Sequence, residues 1–265
     1  FCLGIGRGIG PLFAAYGMSK ITTAQMEDFA NVMKRLFKGE VIFGHDGPIG
    51  KYPILALDPT FDENIPLGIT AFGQNTLELA GRAFDCVILH TFFSDETTQR
   101  CVKTVKDSAE RAGRDPDKVR VWSCFATIGD HIPEDIRLKK TVGRLATYLQ
   151  GYGDLMVTTN NWDPAVLQRF RDDEFIKTFR GALDGIATTE QLEHVATLLP
   201  SEWLESAASG SPAECVASIR HQFDLGCNGV IMHGASPDDL APIVREYRAT
   251  RPVGVFDHLA ANPGG

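Results

Sequence analysis

Apolar residues recur along the chain in two patterns. Short continuous runs at Cys2–Ile5, Ile65–Ala71, Cys86–His90, Val119–Ala126 and Gly229–His233 have the length and composition of fully buried strands. Between them the spacing turns helical. Thr22 and Gln25 have capping-box spacing ahead of Met26, Phe29, Ala30, Met33, Leu36 and Phe37, and Gly39 stops that helix. Gly73, Gln74 and Asn75 form a turn and cap before a short helix over residues 77–84. Ser94, followed by Asp95 and Glu96 where the helix dipole favours negative charge, opens a helix that Gly113 closes. Pro133 and Glu134 open a long amphipathic helix through Ile136, Val142, Leu145 and Leu149. Ser211-Pro-Ala-Glu214 unites an N-cap, a first-turn proline and a capping-box glutamate, and Ser236-Pro-Asp-Asp239 starts the last helix.

Two stretches break this rhythm. Residues 40–64, rich in Gly, Pro and Asp, read as an excursion between core elements, and residues 151–205 carry aromatic and charged clusters that predict helices and loops. Buried strands alternating with helices imply parallel strands joined by right-handed crossovers, either a doubly wound sheet or a (β/α)8 barrel. Both architectures gather function at the carboxyl ends of the strands.

Composition narrows the classes. With 43% apolar and 23% charged residues in 265, the chain can bury a sizeable core, and its net charge of −8 has the wrong sign for gripping nucleic acid backbones. No apolar run reaches the length of a membrane span. The six cysteines include no CxxC pair and lie mostly in apolar runs, which predicts buried free thiols in a reducing, cytoplasmic setting. Metal binding is poorly supported, because no HxH, HExxH or CxxC spacing occurs and the histidines are scattered.

The strand ends supply the candidate chemistry. Arg7 stands between Gly6 and Gly8, where a guanidinium can bind a phosphate bidentately while the backbone approaches closely. A dinucleotide fingerprint is disfavoured, since Gly10-Pro11 interrupts the helix that motif needs. Gly73, Gln74 and Asn75 open a helix directly after a strand and so offer free N–H groups to an anion, unless they are simply a helix cap. His90 and His233 end the two similar runs Ile-Leu-His and Ile-Met-His, either as hydrogen-bonded wall residues or as parts of one shared pocket. Trp162 and Trp203 are core residues or a lid over a flat ligand.

The motifs Phe1-Cys-Leu-Gly-Ile-Gly-Arg-Gly8, Ile65-Pro-Leu-Gly-Ile-Thr-Ala-Phe-Gly73, Asp85-Cys-Val-Ile-Leu-His-Thr91 and Gly229-Val-Ile-Met-His-Gly-Ala235, in that order, resemble the luciferase-like monooxygenase superfamily and within it the oxidoreductases that use coenzyme F420. The resemblance implies a (β/α)8 TIM-type barrel in which Cys2–Ile5 is the fourth strand. Residues 1–252 would form one barrel domain with an irregular insertion around 151–205, and residues 253–265 a tail. It implies that the protein extends upstream and that Cys2–Ile5 pairs on one side with Leu67–Ala71. It further implies a homodimer acting on a small molecule, with hydride transfer between F420 and an organic substrate. Arg7, Gly8, Gly73, Gln74 and Asn75 would bind the cofactor, and His90 and His233 are the catalytic candidates. An FMN-dependent monooxygenase and a catalytically silent homologue are the alternatives.

Overall fold

A computed structural model describes residues 1–8 and 10–259, Pro11 and Leu12 by their backbone alone. Within it the strands are β1 (Leu3–Ile5), β2 (Ile42–Gly47), β3 (Gly50–Leu55), β4 (Leu67–Thr70), β5 (Cys86–Ile88), β6 (Arg120–Gly129), β7 (Ala208–Gly210) and β8 (Gly229–His233). The early helices are α1 (Gly10–Ala15), α2 (Thr23–Leu36), α3 (Gln74–Ala83) and α4 (Asp95–Arg111). Then come α5 (Glu134–Leu138), a π-helical turn at Lys139–Gly143 and α6 (Arg144–Asn160). Five short helices follow: α7 (Pro164–Asp172), α8 (Glu174–Thr178), α9 (Leu183–Ile186), α10 (Thr189–Ala196) and α11 (Ser201–Leu204). The last two are α12 (Pro212–Asp224) and α13 (Pro237–Thr250).

The chain divides into two compact units. The first holds residues 1–89, 101–122 and those from Phe256 on; the second holds residues 90–100 and 123–255. In the first, β1, β4, β5 and the start of β6 pair in parallel, with Leu3 beside Leu67, Gly68 beside Cys86, and Cys86 beside Arg120. The expected pairing of the first strand with Leu67–Ala71 is thus present, and among the described residues β4 is the only partner of β1. Leu67, Ile69, Leu79, Phe84, Val87, Val105 and Val121 are buried, each contributing about 1.5–3 kcal/mol if fully removed from water. In the second unit β6 pairs in parallel with β7, Thr127 beside Ala208, and also with β8. Its core joins Phe125, Cys215, Val216, Ile219 and Ile243.

Several local expectations are corrected. Residues 40–64 contain an antiparallel hairpin, β2 with β3, whose Ile42 packs on Val32 and Leu36 of α2 while Phe43 and Ile54 face outward. Gly10 and Pro11 do not prevent a helix: α1 starts there, because a proline in the first turn lacks only an N–H that has no intrahelical partner. The single long helix after Pro133 is three segments, α5, the π-turn and α6, and α6 itself kinks at Tyr152 (φ −156°, ψ 39°). Residues 151–205 are mostly short helices, and β7 is a strand that the hydropathy pattern did not mark. Of the six free cysteines, Cys2 is exposed and Cys124 half-buried. Trp162 and Trp203 stack on each other at 4.2 Å and 9°, with Trp203 buried, so neither is a lid in this structure. Of the predicted tail, residues 260–265 lie outside the described residues, as does Ile9 of the glycine-rich turn.

Asp85 ties the first unit together at the amino ends of its strands. One carboxylate oxygen accepts from Leu67 N at 2.9 Å; the other takes Lys34 Nζ at 3.3 Å and Arg114 Nη2 at 3.1 Å. Arg114 also donates to the carbonyls of Gly81 and Phe84, and Lys34 to that of Ala83. Burial lowers the Lys34 pKa, with the Asp85 charge opposing that shift. Removing the carboxylate leaves two half-buried cations without their counter-charge. We expect Asp85→Ala to cost about 3–5 kcal/mol in urea unfolding and Asp85→Asn less, because the amide oxygen can still accept from Leu67 N. An Asp85→Asn variant as stable as the parent would show that the charge is immaterial.

Candidate functional site

In the first unit, β1 and β4 end level with one another, since Ile5 pairs with Ile69. The turns that leave them therefore lie side by side. A Cβ on Gly6 would sit 2.6 Å from Thr70 Oγ1, so only glycine allows this approach. Gly8 has φ +69°, and a Cβ there would meet the Phe13 ring at 2.5 Å. Arg7 is half-buried and donates through Nη2 to Thr23 Oγ1 at the start of α2. Its Nε is buried without a hydrogen-bond partner among the described residues, and burial lowers the pKa of the guanidinium. A buried, unsatisfied guanidinium N–H is a costly arrangement that an anion would relieve.

Gly73 caps α3 with no side-chain hydrogen bond, which leaves the first-turn N–H groups to backbone or ligand acceptors. The Gln74 side chain is engaged with Glu78 at 2.7 Å, so the chemistry this turn can offer an anion is that of its main chain. Arg7, Gly8, Gly73, Gln74 and Asn75 thus fall on the turns that follow two paired strands, with one guanidinium and several main-chain N–H groups among them.

The second unit holds both histidines. His90 follows β5 and is packed edge-on against Tyr148 at 4.8 Å and Tyr152 at 5.4 Å. Its Nδ1 lies 2.9 Å from the Thr91 carbonyl and its Nε2 2.9 Å from Tyr152 Oη. A carbonyl only accepts, so Nδ1 carries the hydrogen; in the neutral ring Nε2 accepts from the tyrosine hydroxyl. Burial lowers the His90 pKa to about 4; the Thr91 carbonyl opposes this and the charge of His233 adds to it. His233, at the end of β8, is likewise lowered by burial and then by Arg144, and its Nδ1 is buried without a partner among the described residues. His233 is thus close enough to His90 to disfavour a positive charge there.

The loop after His90 is held in an unusual shape. Phe92, fully buried, has φ 60°, a left-handed conformation that costs a bulky residue roughly 1–3 kcal/mol. Asn160 clamps it, donating through Nδ2 to the Phe92 carbonyl at 3.1 Å and accepting from Ser94 N at 3.1 Å. The clamp fixes the turn that presents the Thr91 carbonyl to His90.

Sequence reasoning missed the aromatic wall of this site. Arg144, Tyr148 and Tyr152 stand four residues apart on α6; Tyr148 and Tyr152 stack at 5.5 Å, and the Arg144 guanidinium lies 5.9 Å from the Tyr148 ring centre and pairs with Asp184 at 2.9 Å. The spacing R-x3-Y-x3-Y was the available signal, since residues four apart share a helix face. Among the described residues no cluster of three or more His, Cys, Asp or Glu could hold a metal ion, and no helix is long and apolar enough to cross a membrane.

Comparison with known proteins gives a family match. A family described as luciferase-like monooxygenase matches residues 1–229. A 5,10-methylenetetrahydromethanopterin reductase of Methanolobus tindarius is 26% identical over 235 residues, 86% of this chain and 66% of that protein. The chain thus spans just under two thirds of that relative. Among solved structures, a coenzyme F420-dependent tetrahydromethanopterin reductase from Methanopyrus kandleri aligns with a TM-score of 0.66 at 16% identity, over 91% of this chain and 71% of that one. An F420-dependent secondary alcohol dehydrogenase in complex with an F420-acetone adduct aligns at 0.58 and 15% identity, over 91% of this chain and 66% of that one.

The His90 environment has a consequence for stability. The folded protein keeps His90 neutral down to about pH 4, whereas an unperturbed histidine takes a proton near 6.5. Between those values the unfolded state binds more protons, so stability falls as the pH drops from 6.5 to 4 and levels off below. The loss amounts to about 3 kcal/mol. His90→Gln should remove that component, giving a flatter pH dependence of the denaturation midpoint than the parent protein across this window. Parallel pH dependences would show that His90 titrates normally.

Proposed function

Since the chain belongs to the luciferase-like monooxygenase family, we propose that it is an oxidoreductase passing hydride between a bound deazaflavin of the F420 type and a small organic substrate. The observation that carries this reading is Arg7, whose half-buried guanidinium has an unsatisfied Nε and which stands between Gly6 and Gly8 after β1, the strand beside the one that leads to the uncapped start of α3. Those residues suit the phosphate of such a cofactor: Arg7 would bind it as a charged fork, and Gly8, Gly73, Gln74 and Asn75 through main-chain N–H groups. When bound, the cofactor supplies the hydride chemistry. His90 and His233 are assigned to the ring or the substrate, where a neutral imidazole offers a polar contact without a fixed charge. On the same reading residues 1–252 form one barrel domain of the luciferase-like kind, with 151–205 as its insertion.

FMN is the competing cofactor. The α3 turn bears on the choice, because Gly73 brings no hydroxyl and the Gln74 side chain is engaged with Glu78, so contact falls to the main chain. Adding F420 or FMN to the purified protein and recording absorption and affinity tests the proposal. We expect F420 to bind more tightly than FMN, and Arg7→Ala to weaken it by about 1.5–3 kcal/mol, roughly tenfold to a hundredfold. Tighter FMN binding would make the protein a flavin enzyme. Binding of neither would leave a catalytically silent member, and unchanged affinity in Arg7→Ala would remove the phosphate assignment.

A further inference from the structure

Tyr152 Oη, His90 Nε2 and, through His90 Nδ1, the Thr91 carbonyl form a line of hydroxyl, imidazole and orienting acceptor, with both contacts at 2.9 Å. This is the order of parts that activates a hydroxyl elsewhere in enzymology: a base within hydrogen-bond reach, held in one tautomer by a third group. The hydroxyl arrives there because α6 leaves helical geometry at Tyr152, eight residues after Arg144 and directly after Gly151. The geometry points to Tyr152 as the group that exchanges a proton with the substrate, with His90 as the base that receives the tyrosine's own proton. This rests on the oxidoreductase reading above, and the substrate class it proposes for that proton exchange is an alcohol and its carbonyl counterpart.

The step balances as follows. In the oxidative direction the substrate O–H bond breaks towards Tyr152 Oη while the Tyr152 O–H bond breaks towards His90 Nε2. A bound deazaflavin or flavin would be the oxidant, taking hydrogen with its electron pair from the substrate carbon as the C=O bond forms. The proton ends on the imidazole, whose Nδ1–H stays on the Thr91 carbonyl, and from there passes to water. Reduction runs the same transfers in reverse.

The surroundings favour transfer in concert over a resting charge. Among the described residues, the groups facing the pair include Tyr148 and Arg144 from α6 and His233 from β8, with Cys124 of β6 approached by Thr91 Oγ1 at 3.7 Å. Burial raises the Tyr152 pKa, with Tyr148 adding to the shift and Arg144 opposing it, so no phenolate persists at neutral pH. Burial keeps His90 unprotonated in the resting protein, so that Nε2 is free of a proton of its own and accepts from the tyrosine. A neighbouring imidazole gives the tyrosine proton a destination that neither burial nor Arg144 provides.

Tyr152→Phe tests this, because it keeps the ring that stacks on Tyr148 and deletes only the hydroxyl. With cofactor bound and an alcohol series as substrate, we expect turnover to fall by roughly 10²–10⁴-fold while cofactor affinity stays within about threefold. Nitrogen NMR of histidine-labelled protein without cofactor gives the second readout: the His90 Nε2 resonance should move in Tyr152→Phe while Nδ1 remains protonated. Turnover within about threefold of the parent, or an unmoved Nε2 resonance, overturns the proposal. If the protein binds cofactor but converts no alcohol or carbonyl compound, the proposal fails while the oxidoreductase reading stands. If it binds neither F420 nor FMN, that reading fails, and with it the catalytic role of Tyr152, whatever the NMR shows of the pair.

Discussion

Parallel register is the constraint on which the first unit depends. Leu3 beside Leu67, Gly68 beside Cys86 and Cys86 beside Arg120 bring four strands to one level, and the turns that leave β1 and β4 inherit that alignment. Slippage of β1 by one residue would turn its side chains to the opposite face and carry Arg7 away from Thr23 at the start of α2. The sheet tolerates no larger residue at its centre: a Cβ on Gly68 would lie 2.9 Å from Cys86 Sγ and 3.3 Å from Cys2 Sγ. The two sulfurs, 3.6 Å apart, fill the space that this glycine leaves open.

The second unit solves a different problem, holding a neutral histidine in one orientation inside a polar wall. Backbone geometry does much of this. Phe92 accepts a left-handed conformation, Asn160 holds it there, and the kink in α6 brings Tyr152 to the other nitrogen of the ring. Both departures from regular structure converge on His90. Irregular backbone is retained where the surrounding contacts over-determine it, and here two separate hydrogen-bonded devices do so.

The strand and helix order was legible because its signals are strong and local. Thr22 with Gln25, and Ser211 with Glu214, form the capping boxes that their spacing announces. The β2–β3 hairpin was not legible, because Pro53 within β3 and glycines at positions 44, 47 and 50 mask its alternation; a proline fits there since β3 pairs only with β2 among the described residues. Strand β7 is Ala-Ser-Gly, with no side chain large enough to mark it. At the candidate site, strand-end position is what singles out Arg7, the Gly73 turn and both histidines as candidates. The Tyr152 partner of His90 lies 62 residues away, and only the fold brings the two together.

The Asp85 junction bears on how the protein assembles. Its carboxylate draws partners from 18, 29 and 51 residues away, on β4, after α4 and on α2. None of these contacts can form from local structure alone, so each must await closure of a sizeable loop. Until Lys34 and Arg114 arrive, a half-built sheet would enclose an unpaired carboxylate, and partial structures are penalised in proportion to how much they have already buried. The junction therefore acts as a checkpoint on cooperativity: strands β4 and β5 gain little by docking early without α2 and α4, and the first unit is driven to form as a whole.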